Sequence, residues 1–116
     1  MTIGYIIRGT AAIVPRRQVT SADFDQRLGR NIGWIEENFH ISSRAVAGPD
    51  ETSSGLGTEA ARQALAAADW EVSSLDVIIG ACGVMEQPIP GTACLIQRRL
   101  GLGASGVPAL DVNAAL

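Results

Sequence analysis

The chain contains no lysine, one histidine, two cysteines, and aromatic residues at only 4% of its 116 positions. Each scarcity closes off a class of function. All nine cationic side chains are arginines, against twelve acidic ones, and they adjoin only as Arg16-Arg17 and Arg98-Arg99. A net charge of −3 with no basic stripe argues against nucleic-acid binding. Cys82 and Cys94 have eleven residues between them, which fits no zinc spacing, and both lie in apolar segments as small buried thiols would. No apolar run approaches a membrane span. The N-terminus has no basic flank or small-residue cleavage site, and Arg8 interrupts its one apolar stretch. A soluble, cytoplasmic protein is expected. Charged residues make up only 18% against 47% apolar, which excludes disorder and favours a buried sheet. The length allows one small domain and not two.

What is present is organised around the last forty or so residues. Asp76-Val-Ile-Ile-Gly-Ala-Cys-Gly-Val reads as a strand buried on both faces, because Val77 to Ala81 is apolar without alternation. Pro88 and Pro90 stop it, and Pro90 fits the first turn of a following helix, where proline is tolerated. Gly101 closes that helix, with Arg98 and Arg99 in its last turn, where cations suit the macrodipole. Pro108-Ala-Leu-Asp-Val-Asn-Ala-Ala-Leu116 is a second apolar strand. Strand, helix and strand make one βαβ crossover, so the sheet is expected to be parallel.

Upstream, Ile3 to Val14 reads as a strand ended by Pro15, with a bend or close backbone approach at Gly9. Thr20 or Ser21 caps a short helix whose inner face is predicted to carry Phe24 and Leu28. A second helical piece runs from Ile32 to Phe39, Ile41 to Ala47 is extended, and Gly48-Pro49-Asp50 turns. The longest helix is predicted over Ser53 to Ala68. Leu56, Ala60, Ala64 and Ala67 form its apolar stripe, widened by Ala61, Leu65 and Ala68, and Asp50 and Glu51 sit on the side its dipole favours. The alternation of strands and helices makes the fold class α/β.

Several features invite a chemical reading and do not carry one. Gly101-Leu-Gly103-Ala-Ser-Gly106 matches G-x-G-x-x-G, but a dinucleotide site needs those glycines after a strand and before a helix; here the order is reversed. His40 borders an extended segment and suits a solvent-facing or structural role. Trp34 and Trp70 fit partial core. Asp111 fits a carboxylate satisfied by backbone donors, and Ser53-Ser54 fits helix capping. Composition and spacing alone give no active site.

The order of local strings is more specific than any one of them. Gly9 with the apolar run to Pro15, Trp34-Ile35, Ile41 with Arg44 and Ala47, and Asp50-Glu51-Thr52-Ser53 open the series. Ala60-Ala61, Asp76-Val-Ile-Ile, Pro90, Ala93-Cys94, Ile96-Gln97, Leu100-Gly101 and Pro108 to Ala115 complete it. In this order and spacing the whole chain resembles the N-terminal third of β-ketoacyl-acyl-carrier-protein synthase III, a condensing enzyme of the thiolase superfamily. The resemblance implies that residues 1–116 are the N-terminal, incomplete part of a thiolase-like domain, with a parallel-rich sheet and a buried Ala-rich helix. It also implies a homodimer, acyl-coenzyme A and acyl carrier protein as partners, no covalently bound cofactor, and coenzyme A thioester as substrate.

In that family an acyl group passes from coenzyme A to a cysteine. Decarboxylation of a malonyl thioester then gives a carbanion that attacks it. The cysteine directly follows the "D-V-x-A-A" strand end, a position that Leu116 occupies here, and leucine cannot carry a thioester. The family's histidine and asparagine lie downstream of the matched region. Trp34 matches the tryptophan that stacks on the coenzyme A adenine, while the arginine four residues later is Asn38 and the glycine of the "TGI" string is His40. Ile89 matches the residue that reaches into the partner's acyl tunnel, which points to an altered acyl preference. Three explanations suit Leu116: part of a larger synthase, which we favour here, a non-catalytic partner subunit, or a small acyl- or protein-binding module.

Overall fold

The computed structural model describes residue 1 and residues 3–113, in two compact units: residues 14–51, and residues 1–13 together with the chain from 52 onward. Leu116, and the last part of the predicted final strand, lie outside the described residues.

The unit of residues 14–51 holds strand β1 (Arg17–Thr20), helix α1 (Ser21–Arg27), helix α2 (Trp34–Phe39) and strand β2 (Ser43–Val46). β1 pairs antiparallel with β2, Arg17 opposite Val46. β1 itself escapes the sequence reading because Arg17-Gln-Val-Thr20 has a single apolar residue, Val19, to bury. Thr20 caps α1 in a reciprocal box: its hydroxyl accepts the Asp23 N–H, and the Asp23 carboxylate accepts the Thr20 N–H. Of the two residues predicted for the inner face of α1, Phe24 is half-buried and Leu28 is not. Leu28 is 64% exposed, whereas Ser21 and Asp25 are buried. Burial of Asp25 is tolerable because its two carboxylate oxygens accept the N–H groups of Gly33 (2.8 Å) and Ile35 (3.1 Å) at the start of α2. Asp50 and Glu51 have partners within this unit. Both bind Arg16, and Glu51 also accepts the Gly48 N–H.

The other unit holds α3 (Ser53–Ala68), a short 3-10 turn (Val72–Ser74), β3 (Ile78–Ala81), α4 (Thr92–Arg99) and β4 (Ala109–Val112). β3 and β4 pair in parallel, Ile78 opposite Ala109, with α4 as the crossover. Pro90 lies before α4 rather than in its first turn, and Gly91 is the N-cap. At the other end Leu102 N–H donates to Gln97 O and Gly101 N–H to Arg98 O, with Gly101 at φ +83°, a Schellman closure that needs glycine. The strands are not buried on both faces: Ile79, Leu110 and Val112, on one side, are 62%, 45% and 45% exposed.

The boundaries of α3 match expectation, but its cap is Thr52, whose hydroxyl accepts the Gly55 N–H. Its inner side is also rotated, running Ser54, Thr58, Ala61, Leu65 and Ala68, while Ala67 is exposed. Two hydroxyls can face inward because each is satisfied. Thr58 donates to Ser54 O, and Ser54 Oγ accepts from Arg99 Nε. Small residues then set the spacing: a Cβ on Gly57 would lie 2.8 Å from Ile96 Cδ1 of α4.

Residues 3–13 form no strand among the described residues, since no ladder partner is paired with them. The close approach at Gly9 is present. A Cβ there would fall 2.2 Å from Ala64 O and 2.9 Å from Ala68 N, both backbone atoms of α3. Gly9→Ala is expected to cost about 1–3 kcal/mol in urea unfolding. Gly4→Ala, where nothing lies within 4 Å, is expected to cost little; equal effects at the two sites would contradict this packing.

Candidate functional site

Two groups of side chains merit a chemical reading, one in each unit. In the first, α2 begins at Trp34 because Gly33, at φ +100°, turns the chain into the helix while Asp25 holds its first amides. Trp34 is half-buried, with the Phe39 ring edge-on at 5.7 Å and the Arg30 guanidinium 4.8 Å from its ring centroid. Asn38 is not beside the ring as a cation would be; its amide donates to Trp34 O. His40 ends α2 at φ +54°, a left-handed conformation that glycine adopts without strain, and its side chain is exposed. Arg30 was not singled out from the sequence. No periodicity could have found it, because Arg30 lies in the connection between α1 and α2.

The second group surrounds the β3–α4 loop. Asp111 of β4 accepts the Ala93 N–H at the start of α4 at 3.0 and 3.2 Å, which is the backbone-satisfied role expected of it. Cys94 is half-buried and reaches toward Ala109 O at 3.7 Å; Cys82, also half-buried, lies 2.9 Å from Val84 O. Neither is the fully buried thiol expected. Ile89 is 87% exposed. Ser54, read as a capping residue, is instead fully buried: its N–H donates to Glu86 Oε2 at 2.9 Å and its Oγ accepts Arg99 Nε at 3.0 Å. Glu86 was missed as well, although it is the only charged residue between Asp76 and Arg98. Among the described residues no three of His, Cys, Asp and Glu cluster as a metal ion would need. Gly101, Gly103 and Gly106 form the α4–β4 loop, as the reversed motif order required.

No family model matches the chain. Individual proteins do. The chain is 40% identical over 114 residues, 98% of its length, to a β-ketoacyl-[acyl-carrier-protein] synthase III of Novosphingobium aromaticivorans, of which it covers 34%. It is 41% identical over 110 residues to the enzyme of that name from Alkalilimnicola ehrlichii, covering 94% of this chain and 33% of the relative. The crystal structure of 3-oxoacyl-[acyl-carrier-protein] synthase III from Aquifex aeolicus superimposes with a TM-score of 0.86 at 34% identity, over 94% of this chain and 34% of that one. This chain is related to part of a β-ketoacyl-acyl-carrier-protein synthase III.

The fold is correspondingly the N-terminal part of a thiolase-like α/β fold. A priming β-ketosynthase from a polyketide pathway superimposes too, with a TM-score of 0.83 at 27% identity, over 93% of this chain and 32% of that one. The chain spans about one third of the length of the synthase III relatives it matches. No helix among the described residues is long and apolar enough to cross a membrane.

The Glu86 carboxyl is held below its ordinary value of 4.5, foremost by the Ser54 N–H, then by the hydroxyls of Ser54 and Thr52 and the charge of Arg99. A lowered carboxylate favours the folded state above the unfolded value and loses that contribution as pH falls through the folded one. Protection of the Ser54 amide from hydrogen exchange is therefore expected to hold at about pH 6 and to fall toward about pH 3.5, beyond the intrinsic change in exchange chemistry. Constant protection across that range would contradict the contact.

Proposed function

We propose that this chain forms part of a 3-oxoacyl-acyl-carrier-protein synthase III-type acyltransferase, performing decarboxylative condensation of an acyl thioester with a malonyl thioester in fatty acid or polyketide-type biosynthesis. The observation that carries the reading is similarity to synthase III along 98% of the chain, joined to the same parallel crossover geometry. Acyl-coenzyme A and acyl carrier protein are the proposed partners, in a cytoplasmic homodimer or an association with further synthase polypeptide. Trp34 is proposed to stack on the adenine of coenzyme A, and Ile89 to meet the acyl chain. The nucleophile is proposed to lie outside this chain, since Leu116 stands at the position where the family has its cysteine. That same leucine favours a second reading, a non-catalytic partner subunit that shapes the acyl cavity.

The chain alone is expected to give no β-ketoacyl product from acyl-coenzyme A and malonyl-carrier protein; turnover above the protein-free blank would overturn this. In the competent synthase, loss of base stacking in Trp34→Ala is expected to weaken coenzyme A binding by about ten- to a hundredfold. Unchanged affinity, measured by calorimetry, would reduce Trp34 to a packing residue.

A further inference from the structure

The loop that carries Ile89 is fastened at several points. Glu86 Oε2 accepts the N–H of Ser54, the second residue of α3, at 2.9 Å. Ser54 is in turn fixed by Arg99 from the last turn of α4, through Nε to Oγ at 3.0 Å. Gln87 Nε2 donates to the carbonyls of Ile89 (3.1 Å) and Pro90 (3.3 Å), which folds the loop onto itself. Asp111 takes up the Ala93 amide just beyond, at 3.0 Å. Between these attachments Ile89 stands 87% exposed. Of the four, only the Glu86 bond ties the loop to an element other than the crossover it belongs to.

Exposed apolar side chains on free loops lose ordering entropy when they bind, and on a fixed loop that loss is already made. A carboxylate accepting an amide in the first turn of a long helix is charge-assisted and favoured by the helix dipole, so it is a strong fastening for a surface loop. Resting on the reading of Ile89 as the acyl-chain contact, we propose that Glu86 is a positioning residue for acyl selectivity: its bond to the first turn of α3 holds the loop so that Ile89 meets the acyl chain in one arrangement. Glu86 touches no substrate. It acts through Ile89.

Two measurements test this with the same variants, Glu86→Ala, Glu86→Gln and Ile89→Ala. One is amide exchange of residues 82–91 in the 116-residue chain. The other is the ratio of kcat/KM for long and short acyl primers in the condensing enzyme that carries this sequence. Glu86→Ala is expected to speed loop exchange about tenfold and to move the primer ratio in the direction of Ile89→Ala. Glu86→Gln, which keeps an oxygen acceptor at the same reach but not its charge, is expected to fall between Glu86→Ala and the unaltered chain in both. Unchanged exchange in Glu86→Ala would show that Glu86 does not hold the loop and would end the proposal. Faster exchange with an unmoved primer ratio, while Ile89→Ala moves it, would end the proposal and leave the reading of Ile89 standing. A ratio that Ile89→Ala itself leaves unmoved would bring down that reading, and this one with it. Should Glu86→Ala not fold, Glu86→Asp, too short to reach Ser54 from the same loop position, gives the same readouts.

Discussion

The crossover depends on one carboxylate lodged where no side chain could be added. Asp111 sits on β4 with its oxygens on the Ala93 N–H, and a Cβ built on Gly91 would fall 2.0 Å from Oδ2, one on Gly80 2.6 Å from Oδ1. The two glycines and Ala93, itself fully buried, make the space, and the amide at the start of α4 gives the charge a partner. Helix and strand are thereby joined by a polar bond. With α4 set on β3 and β4, its Ile96 meets Gly57, and its Arg99 meets Ser54.

A similar device recurs in the unit of residues 14–51. Asp25 is buried, and two amides at the α2 start meet its two oxygens. In both places a short acidic side chain ends a helix approach that apolar packing alone would leave loose. The chain's low charge is consistent with this usage: part of its small stock of carboxylates is spent on backbone amides, with Glu86 and Glu51 as further cases.

This usage also explains what could be read from the residue order and what could not. The limits of α3, the parallel β3–α4–β4 unit, the closure at Gly101 and the approach at Gly9 were legible, because each rests on periodicity or on a residue with one physical meaning. The buried side of α3 was misjudged because hydrophobicity ranks Leu56 and Ala67 above Ser54 and Thr58; only the long-range partner Arg99 makes a buried serine acceptable. Leu28 was assigned to the inner face of α1 for the same reason, and it is Asp25 that is buried there. A polar residue's burial is decided by partners distant in sequence, and periodicity does not report them. The site was legible only in part. Trp34 and Ile89 came from resemblance to a family. Arg30 and Glu86 came from contacts.

On the proposed reading of Trp34 as a base-stacking residue, its two neighbours bear on how a nucleotide would be met. Asn38 provides no cation on the C-terminal side of Trp34; its amide is engaged by the carbonyl one turn back. Arg30 provides one on the N-terminal side, 4.8 Å from the ring centroid, and it is exposed. A guanidinium lying over an indole is flat and weakly hydrated, so it can share or yield the ring face without a large desolvation cost. The cation beside this ring thus comes from the connection before α2 and not from the helix itself.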